Sequence, residues 1–215
     1  MAPVTGNNLP APFSYLLGKD WVTLDTETTG LAVGDEVIEI AVTDGKTGNT
    51  LLNSLVRPNV RIDPKAEEVH KISNADVALA PTWPEVREKL IEAVKGKTIV
   101  IYNAQFDIRL LMQTNASWNL NCNGMFGANE YFCAMVEYAR RVKIYNVFHR
   151  SNRNFKLVKA AELEGIPVTE ELHRAVADTK LTRDLIVKIL AEFETSANDA
   201  EVEEYTGDWP EPRTE

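Results

Sequence analysis

The sequence predicts an α/β fold with a mixed β-sheet, and the order of its strand and helix patterns carries this prediction. Three strand patterns come first, and Asp44-Gly45 and Thr47-Gly48 between the second and third are hairpin signals. A helical pattern, a buried strand pattern and further helical patterns follow. Because the middle strand of a three-strand meander runs antiparallel to its neighbours, the sheet is predicted to be mixed.

Strands are predicted at 21–27, 37–43, 50–56 and 98–102. The first ends at Thr28-Thr29-Gly30, and Pro58 closes the hairpin unit. Helices are predicted at 66–72, 104–114, 129–141, 155–164 and 175–193.

One more helix has a clear start signal at Thr82. Thr82 can cap it, Pro84 suits an early helical position, and Glu85 completes a capping box. An apolar stripe follows, and Gly96 stops the helix. The stripe consists of Val86, Leu90, Ile91 and Val94.

The chain divides into three predicted segments. Residues 1–18 form an irregular arm, residues 19–195 form one globular domain, and residues 196–215 form an acidic tail. The tail has little apolar content and is predicted to be disordered.

Composition excludes several classes of protein. No apolar run approaches the roughly 18 residues of a membrane helix, and the N-terminus lacks the features of a secretory signal. Two cysteines, Cys122 and Cys133, are too few for a zinc site or a disulfide framework. We therefore expect a cytoplasmic protein without a membrane partner.

The net charge of −9 is unevenly distributed. Residues 191–215 carry nine acids and one base, so the rest of the chain is close to neutral. Residues 140–159 contain seven bases and no acid, a basic strip that suits phosphate contacts or, equally, an ordinary solvated surface. These bases are Arg140, Arg141, Lys143, Arg150, Arg153, Lys156 and Lys159.

Four carboxylates occupy positions that point toward the core. Asp25 and Glu27 are two apart on a strand and share one face at its C-terminal end. Asp107 shares a helix stripe with Leu110 and Leu111, and Asp178 does so with Leu181 and Leu185. Buried unpaired carboxylates cost several kcal/mol, and hard divalent cations would relieve that cost. Each acid alone would more often be a cap, a turn former or a helix-dipole partner; their joint occurrence favours a metal site.

His173 lies five positions before Asp178. On one regular helix the two would point about 140° apart, so His173 must come from the preceding turn to serve the same site. A histidine there could accept a proton during catalysis. The alternative is an exposed loop histidine.

Three segments resemble the motifs of the DEDDh, or DnaQ-like, exonucleases. The segment 24–31 (LDTETTGL) resembles the first motif, 102–107 (YNAQFD) the second, and 173–178 has the His-x₄-Asp spacing of the third. Between the first two, 69–73 (VHKIS) and Pro81-Thr82 resemble further family segments. The match covers about residues 20–190 in the family's order.

The resemblance implies a ribonuclease H-like fold, a three-layer α/β/α arrangement around a five-stranded mixed sheet. It implies a metal-dependent 3′→5′ exonuclease that releases 5′-mononucleotides from single-stranded DNA or RNA 3′ ends. It also implies that two Mg²⁺ or Mn²⁺ ions are bound and that His173 is the general base. The implied metal ligands are Asp25, Glu27, Asp107 and Asp178.

The resemblance further implies residues that contact the terminal nucleotide. They are Thr28, Leu31, His70, Asn103 and Phe106. For His70 a structural hydrogen bond is an equal alternative, and Phe106 can be a core residue. Tyr102 stands where the family usually has His, and Cys133-Ala134-Met135 stands where many relatives have Asp-Ser/Thr-Leu.

Two features stay open at this point. The insertion-like stretch 145–154 could stack on a single strand through Tyr145 and Phe148, or could be a surface loop. The acidic tail could dock a polymerase or another protein. A non-catalytic binding protein that keeps the fold is the competing hypothesis, and a free-standing nuclease and a proofreading subunit are both compatible with the motifs.

Overall fold

A five-stranded mixed sheet forms the centre of the computed structural model, which describes residues 12–121, 130–146, 151–168 and 173–203. The strands are β1 (Trp21–Thr28), β2 (Val37–Asp44), β3 (Thr50–Leu55), β4 (Thr98–Ile101) and β5 (Tyr131–Cys133). They lie in the order β3-β2-β1-β4-β5. β2 is antiparallel to β1 and β3, whereas β4 is parallel to β1 and β5. The predicted mixed α/β sheet is confirmed.

Seven α-helices connect and cover the sheet in the described part of the chain. They are α1 (Pro64–His70), α2 (Asn74–Val77), α3 (Trp83–Val94), α4 (Ala104–Ser117), α5 (Ala134–Val142), α6 (Leu157–Leu163) and α7 (Ala175–Glu203). At the start of α3, the Glu85 carboxylate accepts a hydrogen bond from the Thr82 backbone N–H at 2.7 Å. Residues 145–146 and 151–152 form the short antiparallel pair β6 (Tyr145–Asn146) and β7 (Ser151–Asn152).

Helices lie on both faces of the sheet. On one face, Leu24 and Ile40 belong to an apolar cluster with Trp83 of α3 and Leu110 of α4. On the other face, Val100 and Phe132 cluster with residues of three helices. Those residues are Tyr138, Ala160, Leu185 and Ile189. This is the expected three-layer α/β/α arrangement.

The alternation along β1 decides which way the acids point. Val22 and Leu24 face α3 and α4, whereas Trp21 belongs to the opposite cluster with α7. Asp25 and Glu27 have the same parity as Trp21 and Thr23, so they project from the face that α7 covers.

Three predicted segments differ most clearly from the structure. Residues 13–16 of the irregular arm form a 3₁₀ turn, and its Phe13 and Leu16 are buried in the second cluster. Residues 131–133, predicted as helix, form β5, and α5 begins only at Ala134. α7 continues to Glu203, past the predicted end at 193, so the backbone of 196–203 is helical. Residues 1–11 and 204–215, and 147–150 of the insertion-like stretch, lie outside the described residues.

Across the described ranges, no helix has both the length and the apolar character needed to cross a lipid bilayer.

Candidate metal centre

Three carboxylates from two separated elements meet above the C-terminal end of β1. Asp25 and Glu27 come from the strand, and Asp178 comes from the first turn of α7, which packs on the same face. One oxygen of each lies within 4.8 Å of the others. We call Asp25, Glu27 and Asp178 the acidic cluster. The convergence expected from the spacing of these acids is therefore present.

Asp107 lies next to the acidic cluster but outside that 4.8 Å group. It comes from the first turn of α4 and is almost fully buried. Its Oδ1 accepts hydrogen bonds from the Thr26 backbone N–H at 3.1 Å and the Thr26 hydroxyl at 2.8 Å. After burial, the charge of Asp107 is the largest influence that raises the pKa of Asp25, so the two carboxylates interact electrostatically.

The four carboxylates resist ionisation in the absence of a cation. Burial, followed by the nearby acids, holds the pKa of Asp25 well above its usual value. Burial, then the charge of Asp178, raises the pKa of Glu27 to about 8. Burial raises the pKa of Asp107 to about 7 even though Thr26 donates to it, and burial also raises the pKa of Asp178. Positive charge from outside the chain would favour the ionised form of all four.

His173 comes from the turn before α7, as the spacing required. Its φ of +67° is in the left-handed region, and its side chain is exposed. His173 lowers the pKa of Asp178 against the larger effect of burial, so His173 lies within electrostatic range of Asp178.

A cavity of about 500 Å³ opens beside the acidic cluster. Its lining includes Glu27 and four of the five residues expected to contact a nucleotide. These four are Thr28, Leu31, His70 and Phe106. The fifth, Asn103, is exposed at the residue before α4 and is not part of this lining.

One ring nitrogen of His70 forms a structural hydrogen bond, and the residue is also part of the cavity lining. Nδ1 accepts a hydrogen bond from the Ile72 backbone N–H at 3.0 Å. Nε2 is buried and forms no hydrogen bond of normal geometry with any described residue. Burial lowers the pKa of the imidazole, with a smaller opposing effect from the Thr28 backbone. A neutral ring that accepts at Nδ1 carries its hydrogen on Nε2.

The loop between β1 and β2 holds Leu31 at the cavity by hydrogen bonds that the sequence did not reveal. The carboxylate of Asp35 accepts from the Thr29 hydroxyl at 2.8 Å and from the Ala32 N–H at 2.6 Å. From α4, Arg109 donates to the Leu31 carbonyl at 3.3 Å, and Gln113 donates to the Asp35 carbonyl at 3.1 Å. Leu31 itself is 76% exposed.

Acids outside the basic strip compensate part of its charge. Arg140 pairs with Glu137 at 3.0 Å, and Lys159 pairs with Glu162 at 3.0 Å. Arg141 pairs with Glu192 of α7. The strip is therefore less positive than its sequence indicates, and the case for a phosphate-binding surface there is weaker.

One of the two departures from the family motifs has a structural role. The Tyr102 hydroxyl donates to the Phe155 carbonyl at 2.9 Å, which ties β4 to the segment before α6. Cys133 occupies the position before α5 without capping it through its side chain.

The profile of the RNase_T exonuclease family matches residues 22–186. An uncharacterized exonuclease, CP81, of Escherichia phage 186 is 36% identical over 178 residues, which cover 79% of this chain and 88% of CP81. Exonuclease X, solved in complex with 5′ overhanging duplex DNA, superposes with a TM-score of 0.57 at 27% identity, covering 80% of this chain and 92% of that one.

The nuclease domain of 3′hExo, a DEDDh family member bound to rAMP, superposes with a TM-score of 0.63 at 18% identity and shares the fold. It covers 81% of this chain and 92% of its own. The chain belongs to the exonuclease family, in its DEDDh or DnaQ-like branch with the ribonuclease H-like fold.

Proposed function

We propose that this chain is a 3′→5′ exonuclease that releases 5′-mononucleotides from single-stranded DNA or RNA 3′ ends. The observation that carries the proposal is the acidic cluster placed directly beside a nucleotide-sized cavity. A cavity for one terminal nucleotide next to the reacting centre favours removal of end residues over internal cleavage.

Two divalent cations, Mg²⁺ or Mn²⁺, would be held by Asp25, Glu27, Asp107 and Asp178. The donor set fits such ions because it consists of carboxylate oxygens, which hard cations prefer. The raised pKa values support the same assignment, since these groups ionise readily only when positive charge is supplied. When bound, the ions would supply the positive charge that in-line phosphoryl displacement requires.

His173 takes the proton from the attacking water in this proposal, a contribution of roughly 10²–10⁴ in rate. Its exposure and its proximity to Asp178 support the role. In the cavity, Leu31 and Phe106 provide apolar contact for the base, and the ring of His70 lines the same space. Thr28 and Asn103 are proposed to complete the nucleotide contacts.

DNA bound to Exonuclease X and rAMP bound to 3′hExo support a nucleic-acid substrate and leave the sugar open. The cytoplasmic location, and a polymerase or other protein partner for the acidic tail, stay predictions.

A digestion of matched oligonucleotides tests the proposal. Single-stranded DNA and RNA with a 5′ label should be shortened progressively in Mg²⁺ or Mn²⁺, and a blocked 3′ end should stop the reaction. Internal cuts, or loss of the 5′ label first, would contradict the direction. Folded protein that cleaves neither substrate with either metal would favour the non-catalytic binding protein.

A further inference from the structure

β2 carries a buried acid for which the proposed reaction has no role. Glu39 lies directly opposite Glu27 in the register of β1 and β2, so both side chains project from the same face of the sheet. Its side chain is only 2% exposed. From its position alone, Glu39 would be a candidate for a further metal ligand.

The contacts of Glu39 indicate a structural role rather than metal binding. Arg174 donates to Oε1 through Nη2 at 2.6 Å and to Oε2 through Nε at 3.1 Å. The backbone N–H of Ala175, the first residue of α7, donates to Oε2 at 2.9 Å. Both carboxylate oxygens are therefore engaged, and Glu39 is not part of the acidic cluster found among the described residues.

These bonds fix the turn that joins two functional side chains. Arg174 directly follows His173, whose left-handed φ of +67° is unfavourable for a residue with a Cβ atom. The carbonyl of Arg174 accepts hydrogen bonds from the N–H groups of Ala177 at 2.8 Å and Asp178 at 3.1 Å. Glu39 thus anchors this turn to the sheet. His173 lies on one side of the turn and Asp178 on the other.

We propose that Glu39 is a positioning residue that, through Arg174 and the Ala175 N–H, sets His173 and Asp178 relative to the strand acids Asp25 and Glu27. We call the hydrogen bonds from Arg174 and the Ala175 N–H to Glu39 the clamp. The inference rests on the proposed function, because it gives the clamp a consequence for that reaction. A bidentate guanidinium pair gives directional restraint as well as attraction. A carboxylate at a helix N-terminus is also stabilised by the helix dipole.

Glu39→Gln and Arg174→Gln test the clamp, with Glu137→Gln as the matched control. Glu137 is also a buried carboxylate paired with a half-exposed arginine, but it belongs to α5. We expect Glu39→Gln to lower kcat by about 10- to 100-fold, as misplacement of a catalytic group does, with KM changed less than about twofold. The double variant should be no slower than the slower single variant, because both changes break the same contact. Arg174→Lys keeps the positive charge but loses the two-pronged guanidinium contact. Its kcat should therefore lie between those of the wild type and Arg174→Gln.

Amide hydrogen exchange of Ala175 gives a second measurement that needs no turnover. The Ala175 N–H should exchange faster in Glu39→Gln than in the wild type and be unaffected in Glu137→Gln. A kcat loss in Glu39→Gln equal to that of the control, or multiplicative losses in the double variant, would overturn the positioning role. Unchanged Ala175 exchange would overturn the clamp itself. An inactive wild-type protein would instead overturn the proposed function, and the catalytic consequence of the clamp with it.

Discussion

At the scale of single residues, the site is governed by the cost of burying negative charge. Glu27, with a pKa raised to about 8, and Asp107, with a pKa raised to about 7, take up protons near neutral pH unless a cation replaces those protons. Thr26 offsets part of this cost at Asp107 by donating two hydrogen bonds. The same repulsion that destabilises the metal-free protein would favour the binding of divalent ions.

The stability of the metal-free protein should therefore fall as the pH rises. The folded-state pKa of Glu27 is about 8 against an ordinary value of 4.5, so the folded state holds this proton more tightly than the unfolded state. Its contribution is complete below the ordinary value and is lost as the pH approaches 8. Urea denaturation in EDTA at several pH values between about 5 and about 8 checks this.

The window starts at about pH 5 because other acids act in the opposite direction below it. Lys46 lowers the pKa of Asp20, and Ser73 lowers the pKa of Asp76, so these groups lose stabilising interactions only in acid. Glu27→Gln should make the stability of the metal-free protein depend less steeply on pH. A stability that rises with pH across the window in EDTA would contradict the electrostatic description of the site.

Asp25→Asn should abolish turnover without unfolding the protein. Loss of one proposed metal ligand would remove several kcal/mol of transition-state stabilisation, which corresponds to about 10³-fold or more in kcat. The metal-free variant should melt at or above the wild-type temperature because repulsion is relieved. Asp20→Asn, an exposed acid just before the same strand, is the control and should keep wild-type activity. Full activity in Asp25→Asn would show that the site lies elsewhere.

The residues of the acidic cluster were predictable because their signals are local. Asp25 and Glu27 are polar residues two apart at the end of an apolar strand, and Asp178 interrupts an apolar helix stripe. Glu39 gives no such signal, because within VIEIAVT it resembles the ordinary polar residue of an alternating strand. Its pairing with Arg174 depends on the β1–β2 register and on the docking of α7, and both are long-range features.

At the scale of elements, the contact between α7 and the sheet sets the position of Asp178. Small polar side chains let the helix approach the strands closely. The Thr23 hydroxyl donates to the Thr179 carbonyl at 3.0 Å, and the hydroxyls of Thr43 and Thr179 lie 2.9 Å apart. All three threonines are fully buried, so the stability of this interface depends on the hydrogen bonds that their hydroxyls form.

Thr179→Val should destabilise the fold by about 1–3 kcal/mol, because the nearly isosteric change leaves the buried Thr43 hydroxyl without this partner. Urea denaturation gives the value. Thr195→Val, which removes an exposed hydroxyl later in the same helix, should change stability by no more than about 0.5 kcal/mol. Equal effects of the two substitutions would mean that the buried contact does not hold α7 in place.

Long elements with strong periodicity were predicted well, and short or non-local ones were not. β5 has three residues and exists because it pairs with β4, so no local pattern marks it. The 3₁₀ turn at 13–16 is stabilised by burial of Phe13 and Leu16 against distant elements. α7 extends beyond its apolar stripe because alanine and glutamate, frequent after 193, favour helix without needing a core.

At the scale of the whole molecule, negative charge is concentrated in the last residues of the sequence. Residues 196–215 hold seven acids and one base. The buried part of α7 ends near Leu190, so the helix beyond it adds length without adding to the described core. The net charge of −9 therefore describes the C-terminal segment more than it describes the rest of the chain.

Deletion of residues 196–215 should leave kcat within about twofold and lower KM for nucleic acid. Removing negative charge reduces repulsion of the phosphate backbone, and the effect should shrink as salt rises because screening is stronger. Steady-state kinetics at about 50 mM and about 200 mM salt check this. A truncated protein without activity would show that the segment belongs to the fold or the site. An unchanged KM at low salt would show that the segment lies too far from the substrate to act.

Melting curves with and without Mn²⁺, for the wild type and Asp25→Asn, test the metal centre most directly. At about 100 times the dissociation constant, binding to the folded state adds about 2.7 kcal/mol, which raises the melting temperature by roughly 5–10 °C for a chain of this size. We predict that rise for the wild type and little or none for Asp25→Asn. A wild-type melting temperature that does not change with Mn²⁺, or an equal rise in both proteins, would contradict a metal site at these carboxylates.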